Sequence, residues 1–206
     1  MAGKQGYHHG NLPQALVDAG LTLARAGGPG AIGLREVSRQ AGVSHNAAYR
    51  HYADHHELVA AVAARCMDRL GALMRARTEA VTGPPGAQRA WARLNALGRA
   101  YVDFARAEPG WFRTAFTGAG VGAGTEGGEG VQLPADHPFR QLNAALDDLV
   151  DAGALPHGRR EGAEYAAWSS VHGLAALLVD GPLQHLPESE VRRALDTVLA
   201  VVTRGL

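Results

Sequence analysis

Between residues 44 and 55 the chain gathers side chains that hydrogen-bond or can carry positive charge: Ser44, His45, Asn46, Tyr49, Arg50, His51 and His55. Their types and spacing do not make a reaction centre, because no nucleophile is set beside a base and no carboxylates pair across a cleft. They suit contact with phosphate oxygens and base edges instead. Arginine meets guanine, and asparagine adenine, through two parallel hydrogen bonds. Asn46, Ala47 and Arg50 are the base-reading candidates, and Arg35 is placed to clamp a phosphate.

Other chemistries fit less well. His51 and His55 have the i, i+4 spacing of a metal pair, but they fall within the same basic segment. His8-His9 and His55-His56 are adjacent, a poor spacing for joint coordination on a helix. Gly122-x-Gly124-x-x-Gly127 matches a dinucleotide fingerprint in letters alone, since no strand precedes it and no helix starts on it. Asp147, Asp148 and Asp151 read as a solvated acidic face. No catalytic residue, metal set or cofactor is expected, and the chain is not expected to be an enzyme.

Two short helices and a tight turn must position the segment. Gly33 can cap the first, with Glu36 as capping partner, and Leu34, Val37 and Ala41 fall on one face. Gly42 stops that helix where positive φ is wanted, and Val43 fills the gap. Ser44 caps the second, in which Ala48 and Tyr52 face inward. This is a helix-turn-helix pattern, whose second helix can enter a major groove.

The 206 residues allow one large or two small domains, and the 20 basic residues balance the 20 acidic ones. Residues 1–70 carry seven Lys/Arg against five Asp/Glu, a weak asymmetry of the right sign for a nucleic-acid partner. Six of the ten histidines lie in the first 56 residues. DNA affinity is therefore expected to rise as pH falls from about 8 to about 6, as His45, His51 or His55 gains a proton to offer phosphate. No apolar run has transmembrane length and residues 1–10 lack a signal-peptide core, so the expected compartment is the cytoplasm, with no membrane partner. Cys66 is the one cysteine and reads as a buried structural thiol.

Along the chain, residues 1–10 are expected to be a flexible arm, with Lys4, Tyr7, His8 and His9 near phosphate or simply disordered. A helix starts at Asn11, with Leu12, Leu16, Ala19 and Leu23 inward, and Gly27-Gly28-Pro29 ends it. Asp54 caps a long helix over roughly 55–80, and further helices follow over 87–107, from Pro109, and over 137–152, 159–180 and 188–203. Residues 118–130 are a low-complexity loop. The class is all-α with about nine helices. Most of the aromatics lie beyond the long helix, among them Trp91, Tyr101, Phe104, Trp111, Phe112, Phe116, Tyr165 and Trp168. They form either plain core or, with Arg113, Asn143, Tyr165 and His172 as polar anchors, the wall of a ligand pocket.

Ala41-Gly42-Val43-Ser44, Tyr49-x-His51-Tyr52, Asp54 and Glu57-Leu58 resemble, in order and spacing, the N-terminal motif of the TetR family of bacterial transcriptional repressors. Tyr7-His8-His9-Gly10-Asn11-Leu12 and Trp168-Ser169-Ser170-Val171-His172-Gly173 resemble a subset with a WHG-type C-terminal domain. The resemblance implies an arm (1–10), a helix-turn-helix domain (11–53) and a helical effector-binding and dimerisation domain (54–206). It implies a ligand-responsive repressor that binds a palindromic double-stranded DNA operator as a homodimer and leaves it when a small molecule binds. On that basis Arg35, Ser44, His45, Asn46, Ala47, Tyr49, Arg50, His51 and His55 are the DNA-contact candidates, with the Tyr49 ring also able to pack on the first helix. Trp168, Gly173, Ala176, Val191, Leu195, Val198 and Val202 are the dimerisation candidates, and small residues over 166–176 permit close helix approach. The alternative is that those positions are merely the core of one protomer. His45 and His55 stand where lysines are common, Ala48 where leucine is usual and Ser38 where alanine is usual. A helical adaptor or small-molecule-binding module without sequence-specific DNA contact is the alternative.

Overall fold

The computed structural model describes residues 12–117 and 133–206. The arm with Lys4, Tyr7, His8 and His9, the Asn11 cap and the run holding Gly122, Gly124 and Gly127 lie outside the described residues. Among the described residues there are nine α-helices and no strand: α1 (Leu12–Gly27), α2 (Leu34–Gln40), α3 (His45–Tyr49), α4 (His55–Glu79), α5 (Ala87–Ala107), α6 (Pro109–Ala115), α7 (Pro138–Asp151), α8 (Ala163–Val179) and α9 (Glu188–Gly205).

Helix α4 is the spine. Its 25 residues span about 37 Å at 1.5 Å per residue. The Asp54 side chain accepts from the Glu57 N–H at 2.8 Å, and Glu57 accepts from the Ala53 N–H at 2.6 Å, so the helix start is locked reciprocally. Leu58, Val62, Met67, Leu70 and Met74 are buried along it, as their spacing predicts. Cys66 is fully buried, and burial pushes its thiol up to about 12.

Helix α1 is gripped by α4 on one side and α6 on another. Its buried arc is therefore wider than one stripe: Leu21 is buried and Leu23, expected inward, is only half-buried. At the α6 contact Gly110 lies against the backbone carbonyls of Ala24 and Arg25, where any Cβ would collide. Trp111 donates its indole N–H to the Leu21 carbonyl at 2.8 Å, and the Arg25 and Arg69 guanidinium groups lie over its ring at 5.0 and 4.5 Å from the centroid. Arg25 also pairs with Glu108 at 2.5 Å.

Helices α5 and α7 pack on α4, α8 packs on α5 and α7, and α9 closes on α5 and α8. The helix expected over 159–180 is split: a 3-10 turn occupies His157–Arg159, and α8 starts after Gly162, whose φ is 76°. The inward phase of α8 is Ala163, Ala167, Val171, Leu174 and Leu178. That phase leaves Tyr165, expected inward, 54% exposed. The Glu36 carboxylate, expected to cap α2, turns to the Arg39 and Gln40 side chains instead, and the Arg39 guanidinium lowers its pKa. Asp147 and Asp148, expected to be solvated, pair with Arg160 at 2.6 Å and Arg93 at 3.6 Å.

Candidate functional site

The turn between α2 and α3 is built by local chemistry. Ser38 donates to the Leu34 carbonyl at 2.7 Å, which satisfies the hydroxyl that replaces a methyl in this helix contact. Gly42 takes φ 69°, and the Val43 N–H returns to the Ser38 carbonyl at 3.0 Å. Ser44 caps α3 by accepting from the Ala47 N–H at 3.2 Å. Ala48 and Tyr52 are buried, and the Tyr52 hydroxyl donates to the Pro13 carbonyl at 3.4 Å, tying α3 to α1.

Arg35, Ser44, Asn46, Tyr49, Arg50 and His51 are all exposed, and Ala47 is half-exposed among them. Arg35 and Arg50 make no ion pair among the described residues. Tyr49 is 49% exposed, with its ring edge-to-face on His45 at 4.8 Å rather than buried against α1. The three histidines differ. His55 Nε2 lies 2.6 Å from the Ile32 carbonyl, so it is already donating. His45 Nδ1 is buried without a partner among the described residues. His51 is exposed. Of the three, His51 is the one left open to a phosphate.

The second feature is a cavity of about 70 Å³ between α4, α5, α7, α8 and α9. Tyr101, Phe116 and Trp168 line it, as do Met67, Met74 and Phe139, apolar positions not assigned to a pocket by the sequence, and Asn95 and Leu199, which spacing alone did not single out. A polar Asn95 on the face that carries Leu94, Leu97 and Tyr101 was the available signal. The Tyr101 hydroxyl lies 2.6 Å from His172 Nδ1, and the Trp168 indole N–H donates to the Tyr101 oxygen at 3.4 Å. Burial raises the tyrosine pKa and lowers the histidine pKa, which favours the neutral form of each. Phe112 and His172 back this wall without lining it.

The other pocket candidates lie elsewhere. Trp91 packs half-buried on the core, and Phe104 is buried within it. Trp111 faces α1, Tyr165 faces outward, and Asn143 accepts from Arg160 at 2.8 Å. Arg113 is held by Asp180 at 2.6 Å. Of the dimerisation candidates, Val191, Leu195 and Val202 are buried within the protomer, and Trp168 turns into the cavity. Gly173, Ala176 and Val198 remain half-exposed. The packing of α9 on α5 and α8 uses the apolar stripe first, which leaves Leu177 and Val201 as the apolar groups most exposed on α8 and α9.

Burial lowers the pKa of His172, and of His137 against an opposing pull from Asp68. Such groups take up a proton more readily in the unfolded chain. Their contribution is intact above the ordinary histidine range, centred on about 6.5, and is lost as pH falls through the lower folded value. The thermal midpoint is expected to drop by several degrees from about pH 7 to about pH 5. His172→Phe should remove part of that drop, read by circular dichroism at the two pH values.

Residues 16–62 match the family model for bacterial regulatory proteins of the tetR family, and residues 94–202 match that for the tetracyclin repressor-like C-terminal domain. The chain belongs to the TetR family of transcriptional regulators, with α2 and α3 as its helix-turn-helix. A protein of unknown function from Rhodococcus sp. RHA1 is 26% identical with a TM-score of 0.70, over 98% of this chain and 99% of that one. The transcriptional regulator FadR from Bacillus subtilis, solved with stearoyl-CoA, is 12% identical with a TM-score of 0.63, over 94% and 98%. PfmR, a TetR family regulator from Thermus thermophilus, is 16% identical with a TM-score of 0.57, over 93% and 98%. The last two likenesses concern the fold alone. No curated protein matches the chain significantly.

Proposed function

We propose that the chain is a ligand-responsive repressor that binds a palindromic operator as a homodimer and is released when a small molecule enters the cavity. The observation that carries this is the double role of α4. Its first turn is tied to the helix-turn-helix region by Glu57, which accepts from the Ala53 N–H, and by His55, which donates to the Ile32 carbonyl before α2, while Met67 and Met74 farther along it form a wall of the cavity. A molecule too large for about 70 Å³ must part that wall, and α4 then carries the helix-turn-helix with it. The ligand-free form is accordingly the one that grips DNA. That the FadR structure holds stearoyl-CoA supports a ligand in a fold of this kind.

The protomer divides in function at residue 53, although one hydrophobic core runs through both parts. Residues 11–53 read DNA, and residues 54–206 sense the ligand and dimerise. The outward face of α8 and α9 suits a second copy: Ala166, Ser169, Gly173 and Leu177 on α8, and Val198 and Val201 on α9. Leu177 and Val201 are 43% and 54% exposed, and the small residues let helices approach closely. Trp168 and His172 share one aromatic cluster with Tyr101 and Phe116, which supports the WHG subset. Among the described residues no helix is long and apolar enough to cross a membrane, and the proposed compartment is the cytoplasm.

Fluorescence anisotropy on the upstream region of the protein's own gene tests the proposal. A steeply salt-dependent, dimer-stoichiometric complex on one palindrome is expected, with scrambled DNA released at far lower salt. Affinity should also rise from about pH 8 to about pH 6 at fixed salt, less so in His51→Ala. A complex that ignores sequence would favour the adaptor alternative.

A further inference from the structure

We propose that the cavity takes an uncharged, unbranched aliphatic molecule with one hydroxyl or carbonyl group, held with that group on Asn95. The inference rests on reading the cavity as the effector site, and it names the class of effector. Among the described residues the wall holds no lysine, arginine, aspartate or glutamate. A carboxylate or ammonium drawn inside would lose its hydration and meet no opposite charge.

The polar atoms of the wall are mostly spent. The Tyr101 hydroxyl and Trp168 indole N–H are used on each other and on His172, and His137 Nδ1 accepts from the Phe139 N–H at 3.2 Å. The Asn95 amide makes no hydrogen bond among the described residues. It offers two donors and one acceptor, which matches a hydroxyl or a carbonyl equally well.

Shape sets the rest of the molecule. Asn95 and Tyr101 line the same space and are six residues apart on α5, which is about 9 Å along its axis. The free volume is about 70 Å³, so a longer molecule must part the wall, and an unbranched chain laid from Asn95 towards Tyr101 displaces the fewest neighbours. Gly98, midway, lets Leu199 come within 2.6 Å of where a Cβ would stand, so that α5 and α9 approach closely along this wall. Met67 and Met74 flank the cavity with unbranched side chains that reshape around a flexible chain.

The test uses the full chain titrated with decanol, decanoate and decylammonium, followed by tryptophan fluorescence and the thermal midpoint. Decanol is expected to bind at least ten-fold more tightly than either charged congener. Asn95→Leu should weaken decanol by about ten-fold and leave octane, which has no hydroxyl, unchanged, with circular dichroism confirming the fold. Equal binding of decanoate or decylammonium overturns the proposal, as does an absence of decanol binding or an indifferent Asn95→Leu. Decanol that binds as expected without releasing operator DNA upholds the ligand class and removes the effector reading.

Discussion

Arg50→Ala is expected to lower operator affinity by about ten- to hundred-fold, the loss of about 1–3 kcal/mol that follows removal of a bidentate contact to a guanine. Arg50 is the C-cap of α3, exposed, and without an ion pair among the described residues. Its guanidinium is thus free of a carboxylate that would have to be displaced on binding. Arg39, four residues before Val43, differs because it is bound to Glu36. The contrast to measure is Arg35→Ala, at the start of α2. A phosphate contact there should weaken all sequences alike and flatten the salt dependence by about one counterion. Arg50→Ala should instead relax discrimination at one operator position. Equal losses on operator and scrambled DNA for Arg50→Ala would show that it too meets only phosphate.

Gly110→Ala should destabilise the protein by about 2–3 kcal/mol, the upper range for a forced overpacking. The added methyl would meet the carbonyls of Ala24 and Arg25, which are backbone and cannot rotate away. Relief requires α6 to back off α1, and that stretches the Trp111 bond to Leu21 and the pair between Arg25 and Glu108. Chemical denaturation gives the magnitude. Indole fluorescence of Trp111, whose ring has two guanidinium groups against it, should change in the folded variant even where circular dichroism does not. Ala115→Gly, in the same short helix, lacks the collision and should cost about 1 kcal/mol from helix propensity plus the loss of one buried methyl.

The features legible in the sequence were those whose cause is local. Gly42 at a left-handed turn, Ser44 and Asp54 as caps and the apolar period of α4 each follow from a few neighbouring residues, and the structure has them where the spacing placed them. The family was legible for the same reason, because its motif is a string of such local signals. What spacing could not give was the partner of each face. Tyr165 and Trp168 are three residues apart on one helix, yet one meets solvent and the other the cavity. Trp111 and Phe112 are adjacent and point to α1 and to Tyr101 respectively. His55 fits a phosphate-contact position by sequence, but the fold brings the Ile32 carbonyl to it from before α2. Each outcome was decided by a helix distant in the chain.

Cys66 offers a practical return. It is the single thiol of the chain, fully buried halfway along α4, and held protonated by that burial. A water-soluble alkylating reagent therefore cannot react with the closed molecule and can react only when the helix parts from its neighbours. The rate of labelling is then a clock for opening of the helix that joins the two halves of the protein, and it needs no engineered probe. Mass spectrometry of one peptide would read that clock with operator bound, with ligand bound, or with neither.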